Sequence, residues 1–140
     1  MLKTITCRQP FAGLIAASLK PVENRGQNFA HRGELAIHAG KAVDPAELVT
    51  MQATFPDAPL TVLGAVLAVA ELTGCHLADG CCEPWGFPTY SGGPAFHLTI
   101  AHVRRLARPV ECRGQLGLWS LPPDVEAAVR SQLPMPEEAR

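Results

Sequence analysis

The stretch Lys20-Pro21-Val22-Glu23-Asn24-Arg25 places an ammonium, a carboxylate and a guanidinium within six residues. If the chain beyond Pro21 is extended, Glu23 and Arg25 point to one side, because side chains alternate along a strand. Lys20 then leans over both from the segment before. Such a cluster can hold an anion, orient a polar ligand or, if the lysine loses its proton, supply a nucleophile or base. From spacing alone the simpler reading is a surface ion pair, which contributes little.

Other residues widen the choice. Glu71 is the first charge after the apolar run Val62–Ala70, where a solvated strand-end carboxylate is the ordinary outcome. His38, in Ile37-His38-Ala39-Gly40-Lys41, ends an apolar strand, and a lone histidine there is usually structural. Cys75-His76 and Cys81-Cys82 offer four zinc-type ligands. The usual two-residue spacing is missing and adjacent cysteines seldom reach one tetrahedral centre, so free loop thiols and no metal are expected. No motif supports a cysteine nucleophile. Trp85, Phe87 and Tyr90 fall in the glycine-rich segment Gly80–Pro94, as a stacking lid or as anchors pinning the loop. Arg104, Arg105 and Arg108 read as a solvated basic run that would also suit a phosphate backbone, and Trp119 as core.

These residues need a scaffold. Leu2–Cys7 alternates as a first strand. Gln9-Pro10 then opens a helix near residues 10–20, with Phe11, Leu14, Ile15 and Leu19 on one face and Pro21 as its stop. Gly33–Ala39 reads as a half-buried strand, and Asp44-Pro45-Ala46-Glu47 as the capped start of a helix to about Ala53. Thr61–Leu72 suits a long buried strand in which Gly64 permits a bulge. Cys75–Pro94 is loop-like. Ala95–Leu106 suits one bent strand or two short ones, Gly114–Leu121 a last strand, and Pro123–Leu133 a terminal helix before a frayed tail, Pro134–Arg140. The expected class is α+β: a small β-barrel of five or six mostly antiparallel strands decorated by helices.

Composition bounds the function. The 140 residues suit a single domain, with its core over roughly residues 1–122 and a C-terminal helix and tail beyond. A net charge of −1 excludes a protein that coats duplex nucleic acid through bulk positive charge, but not one that captures a base or a short strand. The N-terminus lacks a signal-peptide pattern, and Val62–Ala70 is too short to span a bilayer. Five cysteines, an odd number, read as reduced thiols. The expectation is a cytoplasmic monomer without membrane contact.

Taken in order, Gln9-Pro10-Phe11-Ala12, Lys20-x-x-Glu23-x-Arg25, Arg32-Gly33, Ile37-His38-Ala39-Gly40-Lys41, Val69-Ala70-Glu71-Leu72 and Cys112-Arg113-Gly114-Gln115-Leu116-Gly117-Leu118-Trp119 resemble the ASCH domain of the PUA-like superfamily over residues 1–122. The family pattern carries glycine where this chain has Ser18, and tryptophan where it has Phe11. The resemblance implies a PUA-like barrel with an RNA or nucleotide cleft between the first helix and the barrel. It implies ligand contacts from Gln9, Phe11, Lys20, Glu23, Arg25, Arg32, His38, Lys41 and Tyr90, and no cofactor.

It also implies two metal-independent hydrolytic readings. One is ribonuclease activity. The other is amide hydrolysis of an acylated nucleoside such as N4-acetylcytidine, for which a bacterial branch uses a lysine, a threonine and a glutamate. The lysine falls on Lys20 and the glutamate on Glu71, but the threonine falls on Glu23. Lys20, Glu23 and Glu71 are thus the candidate catalytic residues, and the retained carboxylate at position 23 favours binding over the amidase. A third reading is a protein-interaction domain with a vestigial cleft. Expected partners are RNA, another single-stranded nucleic acid or a modified nucleoside.

Overall fold

A computed structural model describes residues 1–134. Strands β1 (Lys3–Gln9), β2 (Val22–Arg25), β3 (Gly33–Val43), β4 (Ala65–Leu77), β7 (Phe96–Glu111) and β8 (Trp119–Ser120) form one six-stranded sheet in the order β2-β7-β4-β3-β1-β8. The short strands β5 (Thr89–Tyr90) and β6 (Gly93–Pro94) make a separate hairpin. Helices α1 (Phe11–Ala16), α2 (Pro45–Thr54) and α3 (Pro123–Arg130) complete the fold. Pairing is antiparallel except for β1 with β3, which run parallel. No helix among the described residues is long and apolar enough to cross a membrane.

The α+β class is as expected, but the sheet does not close into a barrel: β2 and β8 remain its two edges. A side chain reaches from β2 to β1, where no backbone pairing does. Arg25, on edge strand β2, donates from Nη2 to the carbonyl of Thr6 on β1 at 2.7 Å. Register shifts interrupt β4–β7 pairing at three points, and such bulges bend a sheet.

The long apolar runs end up at the centre. Leu35 through Gly40 of β3 are buried without a break, so this strand is covered on both faces rather than half-buried. Leu35, Ile37 and Ala39 pack with Ala12, Ile15 and Ala16 of α1, while Ala36 joins Leu2, Val66, Leu106, Trp119 and Val129 on the other side.

The first helix is shorter than its sequence suggests, and Pro10 caps it instead of opening it. It stops at Ala16, and Ser18 takes a left-handed conformation with φ of 62°. Leu19 and Lys20 both donate their amides back to the Leu14 carbonyl, at 2.9 and 3.2 Å. This is the tight C-terminal hook for which glycine is the usual residue. Lys20 therefore leaves the helix and turns inward. The capped second helix forms as anticipated, with the Asp44 side chain accepting from the Glu47 amide at 3.2 Å. The last strand shrinks to Trp119–Ser120, which leaves residues 112–118 as a loop. Of the tail, residues 135–140 lie outside the described residues.

Candidate functional site

The charged cluster is not a surface ion pair. Lys20 is 2% exposed and Glu23 8%. Glu23 and Arg25 alternate onto one face of β2, with Nη2 of Arg25 3.0 Å and Nε 3.3 Å from Glu23 Oε2. Glu23 Oε1 accepts from Lys20 Nζ at 3.3 Å and from the Asn24 amide at 3.2 Å. Lys20 Nζ also donates to the Val22 carbonyl. The carboxylate thus uses both oxygens on internal donors. Burial acts to raise its pKa, but Lys20 and Arg25 outweigh it and hold the group well below the carboxylate range. Burial likewise opposes the charge on Arg25, and Glu23 more than restores it. The neighbouring Cys7 thiol is pushed up, first by burial and then by Glu23.

Above this triad lies a cavity of about 320 Å³. Its aromatic walls are Phe11 from the start of α1 and Phe87 and Tyr90 from the loop after β4. Lys20 Nζ sits 5.5 Å from the centre of the Phe11 ring and the Arg8 guanidinium 5.9 Å, so the ring lies within cation–π range of both. Asn24, alternating to the opposite face from Glu23, fixes the loop. Its Nδ2 donates to the Trp85 carbonyl at 2.9 Å and its Oδ1 accepts from the Phe87 amide at 2.8 Å. The loop is therefore both anchored and a wall. Arg8, Lys20 and Arg25 face Glu23, Asp44 and Glu47 in this cavity, and the charges balance.

Thr6 and Leu116 also line a second, more open groove of about 1100 Å³, which takes in His38, Lys41, Arg113 and Gln115. His38 is buried. Its Nε2 donates to the Cys112 carbonyl at 2.6 Å, so Nδ1 is left to accept from Thr6 Oγ1 at 3.2 Å. Burial lowers its pKa, with the Cys112 carbonyl opposing. Trp119 meets the ring edge-on and donates to the same Thr6 hydroxyl at 3.2 Å. A Cβ on Gly114 would stand 2.9 Å from the His38 ring, so the loop reaches the histidine only because that residue is glycine. Lys41 is exposed on the groove wall, and Leu116 projects almost fully into solvent where groove and cavity adjoin.

Of the anticipated residues, Phe11, Lys20, Glu23, Arg25 and Tyr90 converge on the cavity, and His38 and Lys41 on the adjoining groove. Gln9 is wholly buried. Its amide joins the Gly13 amide to the carbonyls of Pro59 and Val62, which makes it a brace for α1 rather than a cavity wall. Arg32 is exposed and bonds the carbonyls of Phe29 and His31. Glu71 departs from the expected catalytic grouping: its half-exposed side chain lies 3.9 Å from His102, in a shallow pocket with Glu34 and Arg104. Asn24 and Arg8 were not singled out by motif, whereas Phe87 was anticipated only as one of three loop aromatics. Asn24 was detectable as the out-of-phase residue of β2, but its partners, sixty residues on, were not.

The mixed six-stranded sheet with three helices is an ASCH-like fold, and it carries a charged, aromatic-walled cavity beside the start of α1. Crystal structures of the ASCH protein from Zymomonas mobilis superpose on it with a TM-score of 0.63. That protein is 15% identical, and the match covers 92% of this chain and 93% of the other. A tyrosine-to-phenylalanine variant of the same protein matches at 14% identity with the same TM-score, over 96% of its own chain. No protein-family model matches the sequence, and no curated protein matches it.

Proposed function

We propose that this protein is a cytoplasmic RNA-binding module that inserts one unstacked base of a single strand into the cavity beside Lys20 and lays the flanking backbone along the Lys41–Arg113 groove. The observation that carries this reading is the cavity itself: three aromatic side chains around an internally neutralised cation pair. Aromatic faces suit bases, and balanced charge suits a base better than a polyphosphate. Lys41 and Arg113, next door, suit the phosphates.

Catalysis is the weaker reading. A proton shuttle needs a pKa near the working pH, and Glu23 is held ionised with both oxygens occupied. Glu71 is directed elsewhere. Glu23 is better placed to orient Lys20 and Arg25 than to touch a ligand.

The test is fluorescence anisotropy with short labelled RNAs, beside a panel of acylated nucleosides assayed for turnover. Phe87→Ala and Tyr90→Ala each remove a wall without breaking the triad. Each is expected to weaken RNA binding by about tenfold, since a stacked base is worth roughly 1–3 kcal/mol. Unchanged affinity in both variants would sink the stacking proposal. Turnover of an acylated nucleoside, abolished by Lys20→Ala, would replace it with the hydrolase.

A further inference from the structure

The loop that carries Phe87 and Tyr90 is also held by a second cluster, next to Asn24 in the β2–β7 ladder. His76 of β4 and His97 of β7 are direct cross-strand partners, so their rings leave the same face of the sheet side by side. Ring centres are 5.3 Å apart at 80°. The Cys81-Cys82 turn folds over them. Cys81 Sγ is 3.4 Å from His76 Nε2 and 3.6 Å from His97 Nδ1, and Cys82 Sγ is 3.4 Å from His76 Nε2. All four ligand atoms lie within 4.8 Å of one another.

We propose that His76, Cys81, Cys82 and His97 form a structural zinc site. A tetrahedral zinc with bonds of about 2.3 Å to sulfur and about 2.05 Å to nitrogen puts sulfur and nitrogen about 3.5 Å apart. The three sulfur–nitrogen distances here bracket that value. Two soft thiolates and two imidazoles are a set that favours zinc over hard cations.

The objection to adjacent cysteines is met by the backbone. Cys82 adopts a left-handed conformation, φ 66°, which breaks strand-like alternation, and both sulfurs come to 3.4 Å from His76 Nε2. Gly86 lets the turn close, because a Cβ there would stand 2.6 Å from Cys82 Cβ and 2.7 Å from His97 Cε1. The outer support is also in place. His97 Nε2 donates to the Phe87 carbonyl at 2.7 Å, which leaves the Nδ1 lone pair facing the cluster. Cys75, the obvious partner of His76 in the sequence, is excluded, since its sulfur accepts from the Phe29 amide at 3.4 Å. Four protein ligands close the coordination shell, so the role is structural rather than catalytic. Binding converts both thiols to thiolates and releases their protons to solvent.

The test is elemental analysis of untagged full-length protein, followed by cobalt(II) substitution. Zinc is expected at about one ion per chain, and cobalt should give tetrahedral ligand-field bands with thiolate charge transfer. Cys81→Ser/Cys82→Ser should lower zinc content at least tenfold, and His97→Gln should weaken cobalt binding. Chelation of wild type should raise amide exchange across residues 78–95. Reduced wild type that is free of zinc and gives no cobalt spectrum would overturn the proposal. So would full zinc retention by the double variant, or a Cys81–Cys82 disulfide in protein purified under reducing conditions.

Discussion

Replacing Glu23 by glutamine keeps its shape but removes the charge between a buried lysine and a partly buried arginine. Removing one member of a buried ion pair costs roughly 3–5 kcal/mol, because the partner is left uncompensated. The lowered Glu23 pKa gives a second route to the size. The Glu23 carboxyl falls from an ordinary 4.5 to about 2 in the folded chain. At 1.36 kcal/mol per pH unit this is roughly 3 kcal/mol of linkage. The sign follows from the lowered value. Between pH 4.5 and 2 the unfolded chain takes up a proton that the folded chain refuses. The contribution is therefore complete above the unfolded pKa and drains away as pH falls through that window. Urea denaturation followed by circular dichroism at neutral pH should show Glu23→Gln destabilised by about 3 kcal/mol. Its stability should also depend less on pH below 4.5 than wild type. Lys20→Met leaves the Arg25–Glu23 pair intact, so it should cost less, and combined with Glu23→Gln it should cost less than the sum of the two. A loss under about 1 kcal/mol for Glu23→Gln, or strict additivity, would show that the triad is solvated and the reasoning wrong.

Two further outcomes follow from the placement of single residues. Ser18→Gly should stabilise the fold by roughly 1 kcal/mol, as relief of the left-handed strain exceeds the added chain entropy; unchanged or reduced urea stability would contradict the hook at φ 62°. Glu71→Gln should change stability by no more than about 0.5 kcal/mol and leave RNA affinity untouched, as expected of a half-exposed group outside the cavity. A tenfold loss of affinity in that variant would restore Glu71 to the site.

What could be read from the sequence was local, and what could not was set by long-range pairing. The Glu23–Arg25 face needed only alternation, and the Asp44 cap needed only its neighbours. The open sheet could not be anticipated, because strand order places β2 beside β7 and leaves its other edge to a guanidinium. The length of α1 depended on Ser18, a residue whose propensity gives no sign of a left-handed turn. Glu71 was grouped with Lys20 by the family resemblance alone, whereas its own pattern, a terminal charge after an apolar run, fits either side of a sheet. The strand's bulges decide which side, and they are properties of the β4–β7 pairing. The same limit hid His97. It lies far from Cys81 in sequence and opposite His76 only once β4 and β7 are in register.

The two clusters bear on one loop from adjacent strands, with Asn24 of β2 directly across from His97 of β7. Asn24 holds the backbone of Trp85 and Phe87 against β2, while His97 holds the Phe87 carbonyl from β7. Both grips act on the residue that walls the cavity. If the outer cluster carries zinc, the aromatic wall is organised before a ligand arrives, and the ordering entropy that a mobile loop would cost on binding is already spent in folding. Metal and ligand would then be coupled without touching. Zinc removal should weaken RNA binding mainly by lowering the fraction of chains with Phe87 in place, an effect distinct from losing the ring itself. Chelation of Phe87→Ala would therefore lower affinity less than chelation of wild type, because the wall that zinc positions is already gone.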